Sequence, residues 1–252
     1  MSDAHASEPG SEAVPASSAL PEANPFYTAS TLPYRLPPFA SIREEHYAPA
    51  LRRGMADQLA ETAAIAANPD PATYANTIVA LEHTGALLRR VETVFRSMAA
   101  AHTSPGIQAL QAEFGPLLAA HHDAIHLDAA LFARVRTLHE SRADLAATDP
   151  IAARLVERYY LDFERAGALL DPPDQERLRE LNTQLAALGA EFEQALFEET
   201  AARGLVLDSA EELDGLTPGA ISAAAANATA RGHDGKYLLS LVLPSNQPQL
   251  AL

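Results

Sequence analysis

His122-Asp123-Ala124-Ile125-His126 is the run whose residue types and spacing most suggest chemistry. Two histidines four apart on a helix present both imidazoles on one face. An acid follows the first directly, as in helices that hold a catalytic zinc, with Asp where those carry Glu. Such a site needs three protein ligands, a bound water and a general base that reaches the water. His122 and His126 would supply two ligands. Asp123 is one methylene shorter than Glu and would sit too far back to activate the water. No third ligand follows: Glu140 belongs to a Ser/Arg-rich surface turn, and Glu157 to a helix whose partners are ordinary ion-pair residues. Nine histidines in 252 positions give roughly 0.3 such pairs by chance. The expectation is that His121 lies partly in the core, that His122 and His126 face solvent, and that no residue here is catalytic, cofactor-binding or metal-binding. His139-Glu140 opens a similar pattern, but Ala143 stands where its second histidine should be. Neither a G-x-S-x-G elbow nor a phosphate-cradling glycine loop occurs.

Positioning any such residues falls to helices. Hydrophobic residues make up 48% of the chain and are mostly Ala and Leu with few aromatics, which favours helix over strand and allows a sizeable core. The net charge of −15, from 33 acids against 18 bases, opposes binding to nucleic acid or anionic lipid, since a phosphate backbone would be repelled. The absence of Cys excludes disulfides, thiolate metal sites and a Cys nucleophile, and fits a reducing cytoplasm. Residues 1–23 lack a basic n-region and a continuous apolar run, so they are expected to form a disordered leader rather than a signal peptide. No window approaches the ~18 apolar residues that cross a bilayer.

Residues 24–40 place Pro25, Pro33, Pro37 and Pro38 among Phe26, Tyr27, Leu32, Tyr34 and Phe39, which predicts an extended arm laid over the helical body. Residues 41–252 then read as one helical domain. Ser41-Ile42-Arg43-Glu44 is a capping-box pattern opening a short turn. Leu51, Met55, Leu59 and Ala63 step by four in a helix from Tyr47 to Ala67. Asn76 or Thr77 caps a second helix with Ile78, Leu81, Leu88, Val91, Phe95 and Met98 inside and a solvated face of Glu82, Arg89, Arg90, Glu92 and Arg96. Ser104-Pro105 starts a third, which Gly115-Pro116 should kink or split. Asp128 caps a fourth, and Asp149-Pro150 opens a fifth that buries Leu155, Tyr159 and Phe163 and ends near Leu170. Asp171-Pro172-Pro173 begins the longest, where Leu178, Leu181, Leu185, Leu188, Phe192 and Leu196 form a heptad-like seam expected to face an intramolecular bundle. Leu205–Leu207 and Tyr237–Leu243 are strand candidates around a small helix opened by Thr217-Pro218. The fold expected is mainly α, an antiparallel helical array with one small two-stranded β-ribbon near the C-terminus. The apolar finish at Gln249-Leu250-Ala251-Leu252 suggests a missing continuation.

Several ordered segments carry a resemblance. Asn24-Pro25-Phe26, Ser30-Thr31-Leu32-Pro33-Tyr34 and Pro37-Pro38-Phe39-Ala40-Ser41-Ile42 resemble the start of M3 zinc metallopeptidases, most closely the bacterial peptidyl-dipeptidases, beside thimet oligopeptidase and oligopeptidase A. Glu45-His46-Tyr47-Ala48-Pro49-Ala50 is similar to an early helix of that family. Asn76-Thr77-Ile78-Val79-Ala80-Leu81-Glu82-His83-Thr84-Gly85 resembles its Asn-Thr-x-x-Ala-Leu-Glu-x-x-Gly segment, the most specific of these matches. Leu161-Asp162-Phe163-Glu164-Arg165-Ala166-Gly167-Ala168 and Leu213-Asp214-Gly215-Leu216 follow in the family's order.

The resemblance runs from about residue 24 to the end and covers the family's N-terminal portion. It implies that the zinc helix, His-Glu-x-x-His, and a downstream Glu ligand lie beyond the point matching Leu252, so no site residue carries over. It further implies a zinc-dependent parent peptidase that releases C-terminal dipeptides from oligopeptides. These helices would form one wall of a channel that admits short unfolded peptides, with the missing catalytic half as the other partner. The chain alone would be inactive and bind no zinc. A stand-alone helical peptide-binding module without catalysis is the alternative, and an autonomous His122/His126 hydrolase a third.

Overall fold

The computed structural model describes residues 20–241. The chain divides into two compact units at the boundary between Ala186 and Ala187, inside its longest helix. Most of the expected leader, residues 1–19, lies outside the described residues, as do the end of the expected second strand and the apolar C-terminus. Leu20, inside the stretch expected to be leader, is buried in a core with Phe26 and Ile42.

The arm is held by fewer aromatics than its composition suggests. Phe26 is buried, whereas Tyr27, Leu32, Leu36 and Phe39 are exposed and Tyr34 is 96% exposed. Asn24 fixes the entrance: its side-chain amide donates to the His46 carbonyl (3.0 Å) and its Oδ1 accepts from the Phe26 N–H (2.9 Å). Arg90, expected on a solvated face, is half-buried and donates to the Phe26 carbonyl at 2.7 Å. A short 3-10 turn at Pro33–Arg35 puts Tyr34 and Arg35 at positive φ.

α1 (Tyr47–Ala66) buries Tyr47, Ala50, Leu51, Gly54, Thr62 and Ile65, while Leu59 is exposed. A stripe stepping strictly by four drifts about 40° per step, so the buried line alternates steps of three and four instead. The expected second helix is in fact three pieces: a π-helical turn Tyr74–Val79, α2 (Ala80–His83) and α3 (Ala86–Ala101). Its cap is Thr73, whose Oγ1 accepts from the Asn76 N–H while the Asn76 Oδ1 accepts from the Thr73 N–H. Gly85 breaks it at φ +66°, a left-handed conformation that costs glycine little, and its N–H donates to Glu61 Oε2 at 2.7 Å. α1 and α3 cross closely at Gly54, where an added Cβ would lie 2.8 Å from the Leu88 backbone.

α4 (Pro105–His126) runs as one helix through Pro116, so the chain is not split there. Gly115, which has no Cβ, relieves part of the clash with the proline ring, while Pro116 itself leaves one helical hydrogen bond unmade. Its N-cap, Ser104, accepts from the Ile107 N–H and donates to Glu44 Oε1 at 2.6 Å. Glu44, expected in a capping box with Ser41, therefore reaches another helix, and the turn Glu44–His46 is closed by the Arg43 N–H donating to His46 Nδ1. α5 (Ala129–Glu140), α6 (Arg142–Thr148) and α7 (Pro150–Arg165) follow, with the expected caps Asp128 and Asp149 on α5 and α7. α7 stops at Arg165, short of Leu170, because Gly167 at φ +96° turns the chain.

Two buried clusters result. One gathers Phe26, Tyr47, Leu51, Val91, Phe95, Ile107 and Phe114. The other gathers Ile65, Ile78, Leu81, Ile125, Phe132, Val135, Val156 and Phe163.

α8 (Pro172–Ala202) does not bury its seam. Leu181 and Leu185 are 38% and 65% exposed, so the helices of the first unit leave this part of the expected seam uncovered among the described residues. In the second unit, β1 (Leu205–Leu207) and β2 (Tyr237–Leu239) pair antiparallel with Val206 opposite Leu238. Between them lie a 3-10 turn at Ala210–Leu213 and α9 (Pro218–Ala230), whose Ala224 and Ala228 are buried. The mainly α array with one small antiparallel ribbon near the C-terminus is thus the fold observed.

Candidate functional site

The histidine run occupies the last turns of α4, and its side chains diverge. His121 is buried, with Nε2 2.8 Å from Gln58 Oε1, and its Nδ1 has no hydrogen-bond partner. His122 is largely exposed. His126, expected in solvent, is half-buried with its ring 5.0 Å from that of Phe163. Asp123 is also turned inward, and both of its carboxylate oxygens accept from Asn182 Nδ2 at 2.8 and 3.0 Å.

This geometry does not fit zinc. The His122 and His126 rings stack at 3.8 Å with 18° between their planes. Lone pairs in near-parallel stacked rings run alongside each other, whereas two ligands must converge on one metal at about 2.0–2.1 Å. His126 Nδ1 is engaged with the His122 carbonyl at 3.0 Å, and Asp123 is held by Asn182. His122 Nδ1 lies 3.8 Å from Asp123 Oδ1, too far for the hydrogen bond a base–orienter pair needs. A cleft of about 330 Å³ runs past His122, Asp123, Arg165 and Asn182, floored by Leu178 and Leu185. His139 is likewise spent on packing, stacked on Tyr160 at 3.8 Å and 5°.

Burial lowers the proton affinity of His121, reinforced by nearby His122 and His126 and opposed by Glu92. Between the lowered folded value and the unfolded value near 6.5, the unfolded chain binds more protons, so stability rises with pH. This contribution is complete above about pH 6.5 and is lost as pH falls through the folded value. Urea midpoints from pH 7.5 to 5.5 should therefore drop further for the wild type than for His121→Gln, which keeps a polar group toward Gln58 without titrating. Parallel pH curves would refute the assignment.

The residues that carry most structural information lie elsewhere, in Asn76–Gly85. Asn76 Oδ1 accepts from the Thr73 N–H (2.8 Å), the Thr77 hydroxyl (3.0 Å) and Arg134 Nη2 (2.9 Å), while Nδ2 donates to the Pro71 carbonyl (3.0 Å). Arg134 Nη1 adds bonds to the Asn68 and Asp70 carbonyls. Thr77 and Ile78 are fully buried, and Glu82 accepts from the Tyr159 hydroxyl at 2.9 Å. Burial, then that bond to Glu82, holds the Tyr159 hydroxyl protonated well above its ordinary range. Asn76, Glu82 and the Gly85 N–H thus tie the segment to α5, α7 and α1 respectively. Sequence reasoning missed Arg134, which sits among the apolar positions of α5 and gave no local signal.

No protein-family model matches the chain. It is 42% identical over 228 residues to the dipeptidyl carboxypeptidase of Escherichia coli K12, a match covering 90% of this chain and 33% of that protein. The dipeptidyl carboxypeptidase of Salmonella typhimurium LT2 is 40% identical over the same shares. Oligopeptidase A of Salmonella typhimurium LT2 is 27% identical over 225 residues, covering 89% of this chain and 32% of that protein. The chain thus spans about a third of the length of the curated relatives it matches. In its ordered segments and in overall identity alike, it is similar to an N-terminal portion of the M3 family of peptidases.

Proposed function

We propose that this chain is the N-terminal, non-catalytic part of a cytoplasmic M3-type zinc peptidase that releases C-terminal dipeptides from short, unfolded oligopeptides. The helical array forms a channel wall, and its partner is the catalytic half of the longer polypeptide. Zinc supplies carbonyl polarisation and an activated water in such enzymes. Its ligands belong to the catalytic half, since the imidazoles of His122 and His126 do not converge. No nucleic acid or membrane is a partner in this reading. Among the described residues no helix is long and apolar enough to cross a membrane. The carrying observation is 42% identity over nine-tenths of this chain to one third of a dipeptidyl carboxypeptidase. Oligopeptidase activity is the neighbouring possibility, at lower identity.

A chimera in which this chain replaces the matching third of the Escherichia coli relative should cleave an N-blocked tripeptide in a chelator-sensitive manner. The 252-residue chain alone should not. Chelator-sensitive turnover by the purified chain, surviving removal of trace contaminants, would overturn the reading, as would a folded chimera without activity.

A further inference from the structure

The arm, the start of α1, the end of α3 and the start of α4 enclose a cavity of about 500 Å³, and every residue lining it lies between Phe39 and Ile107 in the first unit. Its floor is apolar: Ile42 and Ile107 are buried and Met98 is half-buried, while Phe39, 51% exposed, forms the outer wall. One polar group on that floor has nothing to bond. Tyr47 is 2% exposed, and its ring packs on those of Phe26 (5.6 Å) and Phe95 (5.3 Å). The part it brings to the cavity is the hydroxyl, which has no hydrogen-bond partner among the described residues. Burial, then the nearby Glu44 carboxylate, pushes this phenol above its ordinary range, so it stays protonated and acts as a donor.

A buried donor without an acceptor is rare in folded proteins, and in the wall of a cavity of ligand size it offers an anchor for a ligand atom. The charged groups around it are already committed. Arg43 Nη1 donates to the Ala40 and Ile42 carbonyls (2.9 and 3.0 Å), and Glu44 Oε1 accepts from the Ser104 hydroxyl at 2.6 Å. A ligand carboxylate would meet the Glu44 charge and a ligand ammonium the Arg43 charge, so neither sign is favoured. Met98 favours an aromatic ring, since its thioether is polarisable and adapts to ring edges. We propose that this cavity binds a small uncharged molecule with an aromatic body and an amide or ketone oxygen. The ring lies against Phe39, Met98 and Ile107, and the oxygen accepts from the Tyr47 hydroxyl. This inference does not depend on the peptidase reading.

The probe is 4-phenylbutyramide, with 4-phenylbutyrate and 4-phenylbutylamine as charged controls of similar shape. The chain has 3 methionines, so carbon-13 labelling of their methyl groups gives a local magnetic-resonance readout, and Met98→Leu identifies the Met98 signal. Titrating the amide into the full chain should shift that signal saturably, and the acid and the amine should bind about ten-fold more weakly. Tyr47→Phe should weaken the amide about five-fold, the equivalent of one hydrogen bond. Its urea midpoint should stay unchanged or rise, because the hydroxyl it removes bonds nothing in the fold. The same titration on the folded chimera should reproduce the shift. The proposal would be overturned by the absence of a saturable shift, by equal affinity for all three probes, or by amide binding unaffected by Tyr47→Phe. A lowered midpoint in Tyr47→Phe would overturn it too, as would a folded chimera that no longer binds because the polypeptide following this chain fills the cavity.

Discussion

Truncating Phe163 to alanine should cost the first unit about 3–5 kcal/mol, the usual range for a buried aromatic. Phe163 is 1% exposed near the end of α7 and faces Phe132 at 5.9 Å and His126 at 5.0 Å between ring centroids. The loss has two parts: the transfer free energy of the ring, and the contacts that its neighbours forfeit around the void. Relaxation is limited because the neighbours belong to different helices, α4 and α5, whose caps at Ser104 and Asp128 fix their starts. His126 would lose the ring that now covers it, so the stack on His122 should loosen as well. With no Trp in the chain, urea unfolding followed at 222 nm is the direct measurement. A midpoint shift equivalent to less than about 1 kcal/mol, the typical cost of an average substitution, would contradict the packing described.

Arg134→Met should be nearly as damaging, at about 3 kcal/mol or more, although it exchanges a charged side chain for an apolar one in an interior. Hydrogen bonds to charged groups contribute about 1.5–3 kcal/mol each, and an acceptor left buried without a donor costs about 1–3 kcal/mol. Arg134 serves the Asn68 and Asp70 carbonyls and Asn76 Oδ1, and methionine serves none. Because Asn76 holds the π-helical turn through Thr73 and Thr77, the effect should spread. Amide hydrogen exchange at 74–85 should accelerate in Arg134→Met while exchange in α9 of the second unit stays unchanged. Protection at 74–85 equal to the wild type would show that Asn76 holds the turn without the guanidinium.

Much of the scaffold is visible in the sequence because caps and breakers act locally. Asp128, Asp149 and Thr217 accept from backbone N–H groups at the helix starts their positions suggest. The ribbon strands announce themselves as short apolar runs, Leu205–Leu207 after Gly204 and Tyr237–Leu239 after Gly235. What is hidden depends on contacts distant in sequence. Glu44 looks like the partner of Ser41, yet it bonds Ser104, 60 residues away. The break at Gly85 lies within a run of helical periodicity on both sides, and the N–H it frees is taken up by Glu61 on another helix. Asp123 looks like part of a chemical motif until Asn182, 59 residues on, is seen to occupy both of its oxygens. The seam of α8 shows the opposite failure: a heptad pattern declares that something is to be covered, not what covers it. Asn76–Gly85 stands out as a motif for architectural reasons, since nearly every polar atom in it closes a turn or ties one helix to another.

The two buried clusters share their long elements. α1 contributes Tyr47 and Leu51 to one and Ile65 to the other, and α4 contributes Ile107 and Phe114 to one and Ile125 to the other. Either helix is therefore a structural member of both clusters, and neither cluster keeps its walls if one helix detaches. A lesion at the Phe163 end should therefore also lower amide protection at the Phe26 end, beyond the local fraying any fold allows.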